Sequence, residues 1–501
     1  MASHTRRELL ALAGAAGLAS LGISPLEASG RATATAGLAR RLKGPLVLPG
    51  QPAYPAAREL FNPRLRISPR AVAFCESSRD IATVIDFART NHWPIAPRSG
   101  RHSFAGYSNS EGIVADVSRL DHVLYDPATR TVRVGAGANN QDVYERLVLA
   151  HGVAIPTGTC PTVGLAGLTL GGGFGRLMRK AGLLIDSLLA VRVVLANGST
   201  VLASPRSAPD LFWACRGGGG GNFGIVSEFT FRVQPQIPAV TTFGLSFDWS
   251  QAPAALDAWQ RTVPQLPDEI AYSTFRALRM PAAAGAYKLS ATVGGHFHGD
   301  EATLRTMLAP LLALGPLRTT IHSVPLTVAA LPDACTPTTT GLVSCTAPKR
   351  PNYQRSDFID ALIPAAGIQT LLRQIERWPG GPGAAEGGVQ IEALGNCAIN
   401  RIAPDATAFV HRDSLSHIVY LDFWGAGDTP AVVEANLAWG REIYAAMRPY
   451  ASGYAYQNYI DASLPDWKHA YYGVNYPRLQ RVKARYDPHD VFGFAQGIRP
   501  A

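Results

Sequence analysis

The sequence predicts an α+β protein in two parts, and three observations carry that expectation. Short strand-like runs alternate with helical runs as far as residue 235. Glycine-dense loops stand at the ends of those strands. Beyond about residue 240 the runs lengthen into long strands and amphipathic helices, the pattern of an antiparallel sheet covered by helices. A chain of 501 residues exceeds one ordinary core, which agrees with two domains. A composition 47% hydrophobic and 17% charged belongs to a globular protein and excludes a disordered one. The net charge of +9 is spread thinly, with no basic stripe interleaved with aromatics, so nucleic acid is excluded as a partner.

The first 36 residues stand apart from the fold. Arg6-Arg7 precede a weakly hydrophobic Ala/Gly/Leu run, residues 11–23, and small residues follow. Paired arginines in that setting read as a twin-arginine export signal, with cleavage after Ala28 or Ala36. The run is too short to anchor the mature protein in a bilayer. A secreted or periplasmic location follows, with the export machinery as partner of the precursor and no membrane partner for the mature form.

Residues 45–235 form the first expected domain. Ala71-Val72-Ala73-Phe74 reads as a strand, and residues 78–90 as a helix with Ser78 as its cap and Ile81, Val84, Ile85 and Ala88 on one face. A strand over 93–97 opens into the polar loop Arg98-Ser99-Gly100-Arg101-His102-Ser103. Strands follow at 113–117 and 131–134, and a helix at 140–150. Asn197-Gly198 marks a hairpin between strands at 190–195 and 200–202. Arg216, five glycines and Asn222 lead into a strand over 225–233.

The stretch from Gly158 to Gly175 is the strongest single signal. It carries Gly158, Gly164, Gly167, Gly171, Gly172, Gly173 and Gly175 around Cys160, interleaved with Val163, Leu165, Leu168, Leu170 and Phe174. A flexible linker would carry Ser and polar residues instead. Glycines among apolar residues predict a backbone lying against a ligand. The spacing is wrong for the common phosphate-binding loop and for the dinucleotide fingerprint.

Residues 236–450 form the second expected domain, opened by Gln234-Pro235-Gln236-Ile237-Pro238. Strands are expected at 287–293, 388–393 and 417–423, and helices at 301–314, 368–377 and 431–447. Gln390 and Glu392 alternate onto one strand face, as do His296 and His298. No metal-ligand cluster is expected. Among six cysteines, Cys335 and Cys345 enclose a short loop and are equally consistent with a disulfide or with buried thiols. Residues 451–501 read as a return to the first domain.

The motifs Arg98-Ser-Gly-Arg-His102-Ser and Gly158-Thr-Cys160-Pro-Thr-Val-Gly together resemble the berberine-bridge-enzyme-like flavoprotein oxidases, which have the vanillyl-alcohol-oxidase/PCMH fold. The Arg216–Gly224 run, Asn458-Tyr459-Ile460-Asp461, Tyr471–Tyr476 and Tyr486-Asp487-Pro488 extend the resemblance over nearly the whole chain beyond the signal. It implies a PCMH-type FAD-binding domain and a substrate domain. It also implies FAD held by two covalent bonds, from His102 to the flavin 8α-methyl carbon and from Cys160 to flavin C6. An imidazole and a thiolate are side chains nucleophilic enough to add to an electron-poor flavin. The cofactor set it implies is Arg98, Ser99, Gly100, Arg101, His102, Ser103, Gly158, Thr159, Cys160, Val163, Gly164, Gly167, Gly171, Gly172, Gly175, Gly221, Asn222, Val226, Tyr472 and Asn475. Arg101, where many relatives have glycine, is expected near the pyrophosphate. Phe104 stands where several carbohydrate-oxidising relatives have tyrosine.

The resemblance further implies Tyr459 as the substrate base, Tyr456 as the fallback, and Gln390 and Glu392 as substrate-facing polar groups. Val163 occupies the position that gates oxygen in the family. The expected activity is oxidation of an alcohol carbon of a sugar or natural product, with dioxygen reduced to hydrogen peroxide. A tailoring oxidase working on C–N or C–C bond formation, and a flavin-carrying protein without turnover, are the alternatives.

Overall fold

A computed structural model describes residues 25–338, 342–346 and 348–501 of the chain. Arg6-Arg7 and the apolar run of the expected export signal lie outside the described residues. Residues Pro25–Arg41 form one helix, with Ala36 inside it and Leu38 buried against the helix Ser78–Thr90.

The first half holds two sheets. A four-stranded sheet runs in the order Leu46–Val47, Ala71–Phe74, Ile113–Asp116, Ile95–Arg98. Its last three strands are parallel, because the helix Ser78–Thr90 supplies the crossover. Side chains of Ile81, Val84 and Ile85 on that helix are fully buried. The cap is Ser77 rather than Ser78: the Ser77 hydroxyl accepts from Asp80 N at 3.1 Å, and the Ser78 hydroxyl bonds Ser227 instead. A five-stranded antiparallel sheet follows in the order Val123–Asp126, Thr131–Gly135, Ile225–Arg232, Leu188–Val194, Thr200–Ala203. Its last hairpin turns at Asn197-Gly198, with Gly198 at φ +83°.

The second half is built on a seven-stranded antiparallel sheet in the order Arg318–Pro325, Ala239–Phe247, Tyr287–Phe297, Ile270–Pro281, Glu386–Ala393, Ser416–Phe423, Arg355–Ile359. The helices Ala252–Thr262, Ala365–Glu376 and Pro430–Met447 contribute Leu256, Trp259, Leu371, Ile375 and Ile443 to the buried core beside it. The opposite alternation of the strand Glu386–Ala393 leaves Gln390 and Glu392 on the other face from Val389 and Ile391. His298 falls beyond the end of its strand, so the expected pairing with His296 on one strand face does not form.

Cys335 and Cys345 are disulfide-bonded. They are direct partners in a two-stranded ribbon, Cys335–Pro337 with Val343–Cys345. Residues 451–501 fold back over the first half. Lys483 Nζ donates to Asn222 O at 2.7 Å, and Gln457 Nε2 to Gly217 O at 2.6 Å. Among the described residues no helix is long and apolar enough to cross a membrane, and no His/Cys/Asp/Glu group could hold a metal ion.

One buried carboxyl makes stability depend on pH. Asp422 accepts from Trp378 Nε1 at 2.9 Å through one oxygen, and its other oxygen has no partner among the described residues. Burial pushes its pKa up to about 7, against the bond from Trp378 and the charge of Arg64. The folded state therefore binds more protons than the unfolded one between the ordinary carboxyl range and pH 7, so stability falls as pH rises through that window. Asp422→Asn, which keeps the acceptor and does not titrate, is expected to gain stability over the parent on the order of 1 kcal/mol per pH unit across the window and to level off above it. Thermal melts between pH 4 and 9 measure the difference.

Candidate active site

Two loops of the first half and one segment near the chain's end meet around a cleft of ≈ 790 Å³. That volume is within the usual range for a small-molecule or cofactor site. The first loop leaves the strand Ile95–Arg98, and the second is the glycine stretch, in which Gly164 precedes the helix Leu165–Leu170. They touch backbone to backbone. A Cβ on Gly100 would stand 2.0 Å from Gly164 N, and a Cβ on Gly164 would stand 2.2 Å from Gly100 N and from Ser99 Oγ. No side chain fits at either position, which is why both are glycine.

That contact sets His102 near Cys160. The His102 ring stacks on Phe61 with centroids 3.8 Å apart, and its Nε2 lies 2.8 Å from Thr162 Oγ1. Cys160 Sγ lies 3.9 Å from the same hydroxyl. Burial, then the charge of Lys349, lower the His102 pKa to about 4, so the imidazole is neutral near pH 7 with a lone pair available. Burial raises the Cys160 pKa, and hydrogen bonds from Thr162 oppose it. The cysteine loop is pinned by Asn140 Nδ2 on Cys160 O at 2.8 Å and by Asp333 N on Thr159 O at 2.8 Å.

Beneath the first loop Arg98 is buried, its Nε on Asp116 at 2.8 Å and Nη2 on Ala57 O at 2.6 Å. Arg101, at φ +68°, donates to Ala56 O and pairs with Asp116 at 3.6 Å, so the same carboxylate holds both arginines. Ser99 Oγ donates to Ala136 O at 2.8 Å, and Ser103 Oγ accepts from Tyr107 N at 3.0 Å. Arg98 to Ser103 all border the cleft, as do Gly158, Thr159, Val163, Gly164, Gly167, Gly175, Gly221, Asn222, Val226 and Tyr472.

Three expected cofactor residues are not brought to the cleft. A Cβ on Gly171 would meet Asn458 Oδ1 at 2.1 Å, and one on Gly172 would meet Phe409 at 3.0 Å. Their missing side chains make room for the chain itself rather than for a ligand. Asn475 is buried and donates to Pro404 O at 2.8 Å and Thr407 O at 3.2 Å. Asn222 borders the cleft, yet its side chain is used internally, giving a bond to Gly218 O at 3.0 Å and accepting one from Ile498 N at 2.9 Å.

The rest of the cleft comes from the seven-stranded sheet and the C-terminal segment. Glu392 receives Tyr272 OH at 3.2 Å and Gln390 Nε2 at 3.3 Å on one oxygen, and its other oxygen lies 3.2 Å from His417 Nδ1. His417 is its direct cross-strand partner. Tyr459 stacks on Phe104, centroids 5.0 Å apart and planes within 4°. Burial, then the negative charge of Glu392, hold the Tyr459 phenol well above its ordinary pKa, and neither cause is offset by a cation. Tyr456 is 1% exposed, and its phenol oxygen accepts from Gly173 N and Asn458 Nδ2, both at 2.9 Å. The bond from Gly173 makes Tyr456 a brace between the C-terminal segment and the glycine stretch. Sequence reasoning missed Thr162, Tyr272 and His417; only the Thr of Cys-Pro-Thr-Val-Gly gave a sequence signal, by standing inside the cysteine motif.

The residues present fit a flavin dinucleotide. The Arg98 side chain is fully buried on Asp116 and Ala57 O, so it braces the first loop from below and leaves that loop's backbone to border the cleft. A Cβ on Gly167 would meet no atom within 4 Å, and one on Gly220 only Gly167 Cα at 3.8 Å, so the two glycines flank an open slot.

The family models agree with this site. One described as "FAD binding domain" matches residues 69–204, and one described as "Berberine and berberine like" matches residues 455–499. The FAD-linked oxidoreductase YgaK of Bacillus subtilis is 33% identical over 467 residues, covering 92% of this chain and 98% of the relative. The aclacinomycin-N/aclacinomycin-A oxidase of Streptomyces galilaeus is 32% identical over 494 residues, covering 88% and 87%. The xylooligosaccharide oxidase of Thermothelomyces thermophilus is 29% identical over 460 residues, covering 88% and 89%. Among solved structures, BBE-like 1 of Physcomitrella patens superposes with a TM-score of 0.83 at 29% identity, covering 93% of this chain and 99% of that one. The fold and the cleft together define a PCMH-type flavoprotein. The chain belongs to the berberine-bridge-enzyme-like FAD-linked oxidoreductases, and FAD is its cofactor.

The backbone contact has a direct test. Gly164→Ala forces a Cβ into Gly100 N and is expected to cost about 1–3 kcal/mol in denaturant unfolding, as overpacking does. Gly167→Ala meets no atom and is expected to cost less than that; an equal loss in both variants would show that the contact is not special.

Proposed function

We propose that the chain is an FAD oxidase with two covalent flavin bonds. It oxidises an alcohol carbon of a sugar or natural-product substrate and reduces dioxygen to hydrogen peroxide. One observation carries the reading: a neutral imidazole and a thiol stand on two loops in backbone contact, at a cleft that also holds Tyr459, Gln390 and Glu392. His102 and Cys160 would make the covalent attachments, and the Gly167/Gly220 slot would receive the dinucleotide. Bound FAD would supply the electron sink for oxidation of the substrate and the source of electrons for dioxygen.

The protein's own groups handle the proton. Tyr459 meets the substrate hydroxyl and is the candidate base expected from sequence, but its surroundings keep it protonated at rest. Burial and, after it, the negative charge of Glu392 keep it so, and that carboxylate is the acceptor that balances proton removal. Tyr459 and Glu392 therefore act as a unit, with Gln390 and Tyr272 orienting the carboxylate. Phe104, Tyr459 and Tyr272 offer flat apolar faces beside amide and carboxylate groups, which suits a polyhydroxylated ring. The printed names of two relatives, a xylooligosaccharide oxidase and an aclacinomycin-N/aclacinomycin-A oxidase, support substrates of those two kinds. The Cys335–Cys345 disulfide supports export to an oxidising compartment; Arg6→Lys with Arg7→Lys is expected to hold the protein inside the cell, and unchanged secretion would refute that route.

The reading predicts that different residues limit the two half-reactions. A screen of sugars and alcohols for peroxide release identifies a substrate, and stopped-flow mixing then separates reduction from reoxidation. Tyr459→Phe and Glu392→Gln are each expected to slow flavin reduction by about two to four orders of magnitude, the worth of a positioned proton-transfer group, with reoxidation unchanged. Val163→Leu is expected to slow reoxidation in air and to leave reduction unchanged. If Glu392→Gln instead speeds reduction, Tyr459 works alone; a parent enzyme that needs an artificial acceptor is not an oxidase.

A further inference from the structure

Thr162 is the residue that the two attachment side chains share. Its Oγ1 lies 2.8 Å from His102 Nε2 and 3.9 Å from Cys160 Sγ. A hydroxyl has one proton to give and lone pairs to receive, so the chain of contacts runs in one of two senses. In the first, Nε2–H donates to Oγ1 and Oγ1–H donates to sulfur. His102 is then the tautomer with a free lone pair on Nδ1, and the sulfur is stabilised as thiolate. In the second, sulfur keeps its proton and Nε2 is occupied, so neither group is a nucleophile. Attachment needs the first sense.

The geometry points to Thr162 as the positioning residue for both flavin attachments, its hydroxyl fixing the reactive tautomer of His102 and donating to the Cys160 thiolate. This rests on the reading of His102 and Cys160 as the attachment residues. Asn140 on Cys160 O and Asp333 on Thr159 O hold the peptide that carries Thr162, and Phe61 holds the imidazole plane, so the hydroxyl meets both partners without rearrangement of either loop. Hydrogen bonding from Thr162 also lowers the thiol pKa against the effect of burial.

The chemistry balances with dioxygen as co-reactant. At His102 a bond forms from Nδ1 to the 8α carbon, and a C–H bond of that methyl breaks. The C–H proton and the Nε2 proton are released, the latter through the Thr162 hydroxyl, and the C–H electron pair stays in the ring system. At Cys160 a bond forms from sulfur to C6, the C6 proton and the former thiol proton are released, and again two electrons stay behind. Each time, dioxygen takes two electrons and two protons and leaves as hydrogen peroxide.

Thr162→Val keeps the shape of the side chain and removes the hydroxyl, and Thr162→Ser keeps the hydroxyl. Each is made in the parent and in the single-link backgrounds Cys160→Ala and His102→Ala. Total flavin is read in the native protein, and the fraction that resists acid denaturation is read afterwards. Thr162→Val is expected to bind flavin natively while its covalent fraction falls about tenfold in both backgrounds, and Thr162→Ser to restore it. If Thr162→Val does not fold, Thr162→Ala takes its place. A parent protein with no covalent flavin refutes the underlying reading of His102 and Cys160. A covalent parent with an equally covalent Thr162→Val, a loss confined to one background, or no rescue by serine overturns the role of Thr162 alone.

Discussion

Two backbones meet with no side chain between them at Gly100 and Gly164, and the geometry of the cleft depends on that contact. One loop is the exit of a parallel strand, and the other is the lead-in to a short helix. A single methylene at either glycine would push them apart by more than an ångström, because the opposing atoms are backbone and cannot turn aside. His102 lies two residues beyond one glycine and Cys160 four residues before the other. Their proximity is thus a property of the main chain, supported below by Asp116 and its two arginines. A site built this way is pre-organised before any ligand arrives.

The other wall is held to this one by the end of the chain. Asn458 reaches Leu168 O, Tyr456 reaches Gly173 N, and Gln457 reaches Gly217 O, so one short segment ties both glycine loops to Tyr459. Gly171 and Gly172 lack side chains to admit that segment. The charge distribution follows from the same arrangement. Cations are kept beneath the dinucleotide half of the cleft, at Arg98 and Arg101, while the groups acting on Tyr459 are a carboxylate, a phenol and a thiol.

Much of this was legible in the residues because their types have few other uses in such contexts. A histidine and a cysteine inside glycine-rich motifs, and apolar residues between glycines, pointed to the cleft that the two loops form. Period-2 alternation put Gln390 and Glu392 on one face. What was not legible depends on register and on contacts between distant segments. His417 meets Glu392 because two strands pair in one register, and no local pattern prints it. Cys335 and Cys345 left a disulfide and two thiols equally open until the ribbon set them opposite one another. Ser78 was the expected cap, and backbone geometry sets the cap one residue earlier, at Ser77. In a run of seven glycines the sequence does not separate Gly167, which faces open space, from glycines such as Gly171 and Gly172, which make room for Asn458 and Phe409.

In the proposed oxidase one flavin is bonded to both loops across the Gly100–Gly164 contact. Proteolysis of the purified yellow protein followed by mass spectrometry of the flavin-bearing material tests this most directly. The predicted result is a single species in which the peptide containing His102 and the peptide containing Cys160 are joined through one flavin. Separate unmodified peptides with free FAD, or flavin on a peptide containing neither residue, would contradict it.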